Sequence, residues 1–326
     1  MKRILIGASM VALLVAGGYS GLSMAKESWP SRPVQIVTPF PAGGGTDMIA
    51  RAVAAKLQEQ FGQSFIVDNR PGASGIIGTM IVKKAAPDGY QLGLGVTNTH
   101  AINQSFFKNL SYDPQKDFQP ISLLAKGPHV IVINSKTPAK TLKEYLAWAK
   151  TQHGKLSYAS YGNGSTAHLI SEMLNAQNHL DMVHTPYKGI PPAVTDLLSE
   201  QVNMLVSTTS AVLPYVKAGK LRALAIIGES RVPSLPDVPT MKELGFNDYT
   251  YSHWYGLYAP AGTPRPIIEK IAGAVQRALA SKEIQDAFEN AGVTPAFLGP
   301  DEFKAFTRNE AARWAELVRL SGAKTD

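Results

Sequence analysis

Short apolar runs alternate with amphipathic segments along most of the chain. The apolar runs have the length of buried strands, and the segments between them place apolar residues every three or four positions, as helices do. This alternation predicts an α/β protein built from parallel layers of strands and helices. The predicted strands cover residues 34–38, 65–68, 91–96, 130–134, 156–160, 182–185, 204–207, 222–227 and 252–258.

Most of the helical segments directly follow a predicted strand. Thr141 and Glu144 have the spacing of a capping box at the start of one such helix. The C-terminal third differs, because its pattern indicates two long helices with a shorter one between them. The predicted helices are one that begins at Thr46, one that ends near Ala86, one that begins at Ser165, and those over 142–150, 192–199, 211–218, 264–279 and 300–320.

The N-terminus has the pattern of a cleaved signal peptide. Lys2 and Arg3 precede an apolar run over 4–16, and small residues lead to a predicted cleavage site after Ala25. A membrane anchor is the alternative, but glycine and serine at 17–20 interrupt the apolar run before it reaches the roughly 20 residues that span a bilayer. We therefore expect residues 1–25 to be removed and the protein to lie in the periplasm.

Composition narrows the class of protein. The chain has 326 residues, of which 44% are hydrophobic and 17% charged, so it is globular and long enough for two domains. It has no cysteine, which excludes a lipid-attachment cysteine, disulfides, thiolate metal sites and a cysteine nucleophile. The formal net charge of +7 suits an anionic ligand, but the basic residues are scattered, so we do not expect nucleic-acid binding.

A glycine-rich loop joins the first predicted strand to its helix. Residues 38–47 read Thr-Pro-Phe-Pro-Ala-Gly-Gly-Gly-Thr-Asp. Three glycines let the backbone approach a ligand closely, and the N-terminus of the next helix favours an anion. The loop has neither the Lys-Ser/Thr of a Walker A motif nor the spacing of a dinucleotide fingerprint. The alternative is a simple turn in which Thr46 or Asp47 caps the helix.

A second loop repeats this arrangement about 120 residues later. Residues 157–168 end a predicted strand, turn through Gly162 and Gly164, and start a helix that Ser165 or Thr166 could cap. Each loop alone could be a turn. Together they predict an anion site in a cleft between two domains, where backbone N–H groups hold a carboxylate without an arginine.

The motifs in these loops resemble those of one receptor family. The chain is similar, essentially from Trp29 to its end, to the solute receptors of the tripartite tricarboxylate transporter family, the Bug proteins of bacterial periplasms. The resemblance rests on Pro39-Phe-Pro-Ala-Gly-Gly-Gly-Thr-Asp47, Asn69-Arg-Pro-Gly-Ala-Ser-Gly75, Ala86-Pro-Asp-Gly-Tyr90, Thr97-Asn-Thr-His-Ala-Ile-Asn103, Gly162-Asn-Gly-Ser-Thr-Ala-His168, Pro186-Tyr-Lys-Gly189, Ala218-Gly-Lys-Leu-Arg222, Leu235-Pro-Asp-Val-Pro239 and Trp254-Tyr-Gly-Leu257.

The resemblance implies a two-lobed periplasmic-binding-protein fold of type II, with two strands crossing between the lobes. We expect residues 29–125 and 255–326 to form the first lobe and 126–254 the second. It further implies a monomer without a cofactor, which captures a small carboxylate between the lobes and delivers it to the membrane permease of a tripartite tricarboxylate transporter.

Matching the family's binding segments, together with the loops above, predicts which residues contact the ligand. They are Phe40, Ala42, Gly43, Gly44, Gly45, Thr46, Asp47, Thr97, Thr99, His100, Tyr161, Gly164, Ser165, Thr166, His168, Tyr187, Ser207 and Thr208.

Two positions depart from the family's common pattern. Tyr161 stands where the family has a small residue, and Ser207 and Thr208 stand where it often has an acidic residue followed by Asn. The first change adds an aromatic wall and the second removes a negative charge. Both favour a mono- or dicarboxylate with an apolar or aromatic body over an amino acid. The alternative is ordinary variation at the lip of the cleft.

Two other functions are compatible with parts of the sequence. A sensing partner of a signalling system on the same fold is the second hypothesis, which the sequence does not separate from transport. An enzyme is the third. Ser165 lies near His168, but there is no Gly-x-Ser-x-Gly elbow, and the histidines lack the spacing of a zinc site. We therefore expect a binding protein rather than an enzyme.

Overall fold

The structure is a computed structural model that describes residues 29–323. The predicted signal peptide over 1–25 lies outside this range. Among the described residues, no helix has the length and apolar character needed to cross a membrane.

Ten strands form one strongly curled sheet. Along its main path the order is β2-β1-β3-β9-β4-β7-β5-β6, while β8 and β10 pair with β4 off this path. The strands are β1 (Val34–Thr38), β2 (Phe65–Asn69), β3 (Gln91–Val96), β4 (Phe118–Asn134), β5 (Ser157–Ser160), β6 (Val183–Pro186), β7 (Met204–Thr208), β8 (Leu221–Ile227), β9 (Ser252–Pro260) and β10 (Thr294–Leu298).

Strand β4 divides the sheet into two lobes. Its 17 residues pair with β9 and β10 as far as Pro128, and with β7 and β8 from His129 onward. At the change of partners, Gly127 is opposite His253 in antiparallel β9, so two adjacent strands cross between the lobes. This confirms the predicted two-lobed α/β fold with two crossover strands.

The predicted parallel layers are present in each lobe, but the middle of the sheet is antiparallel. Strands β1, β2 and β3 are parallel, as are β5, β6 and β7. However, β4 is antiparallel to its neighbours β7, β8, β9 and β10. The reason is the crossover itself, because two strands that carry the chain to the second lobe and back must run in opposite directions.

Helices cover both faces of the sheet. They are α1 (Gly45–Phe61), α2 (Ile76–Lys83), α3 (Asn103–Phe106), α4 (Leu142–Lys150), α5 (Thr166–Asn178), α6 (Ile190–Leu198), α7 (Thr209–Lys217), α8 (Arg265–Leu279), α9 (Lys282–Asn290) and α10 (Pro300–Ser321). The predicted cap of α4 is confirmed, because the Thr141 side chain accepts the Glu144 N–H at 3.2 Å. Helix α10 belongs to the C-terminal part of the chain but packs against both β4 and α5, so it ties the lobes together.

For three segments, the sequence pattern predicted either no element or one that is shorter than the structure shows. Only residues 130–134 of β4 were predicted, because Lys126, Gly127 and Pro128 break the apolar run in its middle. Strand β10 is only partly buried, so it carries no clear alternation. Residues 98–102, for which no helix was predicted, form a π-helical turn that is buried throughout.

Four histidines are buried inside the protein. Burial lowers the pKa of His100 to about 3 and that of His129 to about 4. Burial, together with the neighbouring His184, lowers the pKa of His168 to about 3. Burial and, to a smaller extent, repulsion from His129 lower the pKa of His253 well below its ordinary value of 6.5. These imidazoles are therefore neutral at neutral pH.

This burial predicts that the free energy of unfolding falls between pH 6.5 and pH 4. In that interval the unfolded chain protonates these imidazoles while the folded protein does not, so acid favours the unfolded state. For His129 alone the loss between pH 7 and pH 5 should be about 2 kcal/mol. Urea unfolding at pH 7, 6 and 5 measures it. The His129→Gln variant should lose less stability over this range, and a wild-type stability that is flat from pH 7 to pH 5 would contradict the prediction.

Candidate functional site in the interlobe cavity

A cavity of about 490 Å³, counting the solvent at its opening, lies where the two lobes meet. The crossover strand β9 reaches it through His253, Trp254 and Tyr255, and the first turn of α1 forms one end. No Lys, Arg, Asp or Glu is among the described residues that line it. The lining residues are Phe40, Pro41, Gly44, Gly45, Thr46, Val96, Thr97, Asn98, Tyr161, Ile190, Pro191, Thr208, His253, Trp254 and Tyr255.

The N-terminus of α1 faces this cavity without a side-chain cap. Gly44 is the N-cap residue, has an extended backbone (φ −87°, ψ 171°) and carries no side chain that could accept a hydrogen bond. The first-turn N–H groups of a helix have no partner within the helix. Because Gly44, Gly45 and Thr46 line the cavity, these donors and the positive end of the helix dipole are presented to a ligand.

Asp47 shapes this turn from behind the cavity. Its carboxylate accepts the Gly43 N–H at 3.0 Å and the Arg51 Nε–H at 3.0 Å. Burial alone would raise the pKa of Asp47, but the hydrogen bonds from Arg51, Gly43 and Asn69 outweigh it and hold the pKa below the ordinary value. Arg51 is thereby engaged with Asp47 and does not line the cavity.

Gly45 is surrounded by the hydroxyls of Thr208 and Ser210 from the second lobe and of Tyr255 from the crossover strand β9. The Ser210 hydroxyl donates to Thr208 Oγ1 at 3.1 Å, and the Tyr255 hydroxyl is hydrogen-bonded with both. A Cβ atom placed on Gly45 would lie 2.7 Å from Ser210 Oγ and 2.8 Å from the Tyr255 hydroxyl oxygen. Gly45 is therefore required by the close approach of the two lobes and not by its backbone angles.

The sides of the cavity are aromatic and apolar. Trp254 is fixed at both ends, because its backbone N–H donates to Thr97 Oγ1 at 2.9 Å and its indole N–H donates to Glu310 Oε2 at 3.1 Å. Phe40 of the first lobe and Tyr161 of the second meet edge to face, with ring centroids 6.4 Å apart. Such pre-positioned rings suit the apolar body of a small ligand.

The N-terminus of α5, the second predicted anion site, is satisfied from within the protein. Ser165 Oγ accepts the His168 N–H at 3.2 Å, which confirms Ser165 as the helix cap. His168 Nδ1 accepts the Gly164 N–H at 3.1 Å. Gly164 has φ +70°, and a Cβ there would lie 2.4 Å from the Phe106 ring. This loop therefore packs against the first lobe with its donors already used.

The structure brings seven of the predicted ligand-binding residues to the cavity wall. Those are Phe40, Gly44, Gly45, Thr46, Thr97, Tyr161 and Thr208.

The other predicted residues lie elsewhere. Ala42, Gly43 and Asp47 belong to the back of the α1 loop. Tyr187 lines a neighbouring groove that shares only Phe40 and Tyr161 with the cavity. Thr99 and His100 are buried and hydrogen-bonded to each other. Ser207 is fully buried in β7. Tyr161 lines the cavity, but the residues that follow it in this loop and helix, Gly164, Ser165, Thr166 and His168, do not.

Several lining residues were not predicted from the sequence. His253 is 5% exposed, and neither of its ring nitrogens has a hydrogen-bond partner in the described part of the chain. His253 and Tyr255 flank Trp254 on the aromatic segment predicted as strand 252–258. The concentration of aromatic residues in that strand is the sequence feature that could have identified them as lining residues. Ile190 and Pro191 contribute apolar surface from α6. No feature of the sequence around them indicated that they line the cavity.

The two lobes, the paired crossover strands and the cavity between them define a periplasmic binding protein. The family model described as "Tripartite tricarboxylate transporter family receptor" matches residues 49–322. The chain therefore belongs to the family of tripartite tricarboxylate transporter receptors, as its motifs predicted.

Individual relatives agree with this assignment over nearly their whole length. Protein BugT of Bordetella pertussis is 37% identical over 325 residues, which are 99% of each chain. The structure of the periplasmic binding protein BugD is 34% identical with a TM-score of 0.87, over 91% of this chain and all of that one. An R. palustris protein solved with adipate is 33% identical with a TM-score of 0.88, over 91% and 99% of the two chains. These relatives are binding receptors and not enzymes.

The two glycines at the start of α1 give a matched test of the site. Gly45→Ala should weaken carboxylate binding at least tenfold, or about 1.4 kcal/mol, because its Cβ collides with Ser210 and the rigid, buried Tyr255 when the lobes meet. A Cβ on Gly44 would have only Pro41 O nearby, at 3.7 Å. Gly44→Ala should therefore change affinity less than threefold. Isothermal titration calorimetry of both variants measures this, and equal losses in the two variants would contradict the assigned role of Gly45.

Proposed function

We propose that this receptor captures a small carboxylate in the interlobe cavity, with the carboxylate group at the N-terminus of α1. The observation that carries the proposal is an uncapped helix N-terminus that opens into a cavity lined by no charged side chain. Its amides and helix dipole supply the positive potential in that space.

The electrostatics of the cavity favour an anion over other ligands. A cationic ligand would find no Asp or Glu among the lining residues, and the positive end of the α1 dipole would repel it. An amino acid would likewise leave its ammonium group without a partner, and a buried charge without a partner is costly. A carboxylate, in contrast, can accept several hydrogen bonds from the first-turn amides and from the neighbouring hydroxyls of Thr46, Thr97 and Thr208.

The walls favour an apolar body on that carboxylate. Phe40, Trp254 and Tyr255 form the aromatic side of the cavity, and Ile190 and Pro191 close it from the second lobe. The relative solved with adipate supports this assignment, since adipate carries its carboxylates on a chain of methylene groups. The walls accommodate an aliphatic chain or an aromatic ring equally.

Delivery to a membrane permease is the second half of the proposal. The family model names a receptor of a tripartite tricarboxylate transporter, and the predicted signal peptide would place the protein in the periplasm, where such a receptor meets its permease. A receptor that closes around its solute presents a different surface in the loaded and empty states, which lets a permease recognise the loaded one.

A thermal-shift screen tests the ligand class. Carboxylates with four to eight carbons and an apolar body should stabilise the protein, because a ligand present at 100 times its Kd adds about 2.7 kcal/mol to the free energy of unfolding. The matched amides and alcohols, which have the same body without the charge, should leave the melting temperature unchanged. Stabilisation by the amides as strongly as by the acids would contradict binding at the helix N-terminus.

A further inference from the structure

A groove adjoins the cavity at Phe40 and Tyr161. It encloses about 750 Å³, counting the solvent at its opening. The first lobe contributes the turn over 72–76 to its lining, and the second lobe contributes 161–163 and 186–188. Among the described residues, only Phe40 and Tyr161 line both the groove and the cavity. The two spaces therefore share a wall.

The shared wall is a contact between two side chains from different lobes. The rings of Phe40 and Tyr161 meet edge to face, with centroids 6.4 Å apart and planes at 87°. The chain also runs on from the groove to the cavity, because Lys188 lines the groove while Ile190 and Pro191 line the cavity. Separation of the lobes would therefore part the two rings and join the groove to the cavity.

Lys188 is the only charged residue among the described residues that line the groove. It is exposed and has no ion-pair partner in the described part of the chain. Two arginines of the first lobe differ, because Arg51 is paired with Asp47 at 3.0 Å and Arg70 with Asp68 at 2.9 Å. The charge of Lys188 is therefore not neutralised by a neighbouring carboxylate.

This charge acts where the helix dipole does not. The N-terminus of α1 attracts an anion only at short range, since the effect of a helix dipole falls off within its first turn. An unpaired exposed charge acts farther, over a Debye length of about 10 Å at 0.1 M salt. Asp196 of neighbouring α6 accepts the Tyr187 hydroxyl at 2.6 Å and does not line the groove. An anion that approaches the groove therefore meets the charge of Lys188.

We propose that the groove is the entrance to the cavity and that Lys188 attracts the carboxylate to it. A charge at the rim of a binding site changes the association rate more than the dissociation rate. Lys188 thus accelerates the capture of anionic solutes and does not hold the bound one. This inference rests on the proposed function, in which the bound carboxylate lies at the N-terminus of α1.

Charge variants of Lys188 test its role. Stopped-flow fluorescence can follow the binding of hexanoate or benzoate, whichever binds more tightly, through Trp254 in the cavity wall. At low salt, Lys188→Gln should lower the association rate constant about threefold and Lys188→Glu about ninefold, because a unit charge in water acts on an anion by about this factor at 6–7 Å. The dissociation rate constant should change less than about twofold.

Two comparisons separate attraction by Lys188 from other effects. At about 0.5 M salt the variants should approach the wild-type rate, since the Debye length falls to roughly 4 Å. Lys150→Gln removes an exposed lysine of the second lobe that lines neither space, and it should leave the rate unchanged. Equal slowing by Lys150→Gln would reduce the effect to net charge. Faster dissociation with unchanged association would make Lys188 a ligand contact, and either result overturns its proposed role.

A blocking group tests the route itself. The chain has no cysteine, so Ala73→Cys, at an exposed position that lines the groove, gives one site for a bulky maleimide. The modified protein should bind and release the acid at least about tenfold more slowly with little change in Kd, because an obstructed route slows both directions equally. The control is the same label on Ala147→Cys, an exposed position on α4 that lines neither space. Unchanged rates in the modified Ala73→Cys protein would show that the ligand enters elsewhere.

The outcomes also distinguish this inference from the proposed function. If wild-type protein binds a carboxylate but neither the Lys188 variants nor the blocked protein differ from it in rate, the entrance is wrong while the carboxylate receptor stands. If folded wild-type protein binds none of the carboxylates of the thermal-shift screen, the proposed function is wrong and the inference fails with it.

Discussion

The recognition chemistry of this receptor depends on one electrostatic constraint, which is the open N-terminus of α1 in an otherwise uncharged cavity. Aligned peptide dipoles place roughly half a positive charge at such an end, and Gly44 contributes no side chain that could cap it. Asp47 and Arg51 form their ion pair behind the turn, so they fix its shape without entering the cavity. The positive potential is therefore built from the backbone, which binds an anion without the desolvation cost of a buried arginine or lysine.

The same constraint explains why small residues occur where the two lobes meet. Gly45 allows Ser210 and Tyr255 to approach the first turn of α1, and Gly164 lets the second lobe pack on the Phe106 ring. A hydrogen bond from Ser74 Oγ to the Asn163 carbonyl oxygen, at 2.7 Å, joins the lobes beside these contacts. Closing the cleft this tightly excludes water, and exclusion of water strengthens the interaction of a bound anion with the helix dipole.

Much of the fold could be predicted from sequence, because strands such as β1 and β3 are short apolar runs bounded by turns. The part of β4 before residue 130 could not, since Lys126, Gly127 and Pro128 are polar or strand-breaking, and pairing with β9 keeps them extended. For the site, the glycine loop pointed to the N-terminus of α1, which the structure places at the cavity. The equivalent loop before α5 has the same sequence features, but the His168 and Ser165 side chains accept its Gly164 and His168 N–H groups, and only the folded structure shows that arrangement.

A crystal structure of the protein with a bound monocarboxylate tests the central claim most directly. The account predicts carboxylate oxygens within about 2.7–3.2 Å of the backbone nitrogens in the first turn of α1, with the apolar body against Trp254 and Tyr255. A carboxylate bound instead to Lys188 or to the amides of α5, with the first turn of α1 unoccupied, would contradict it.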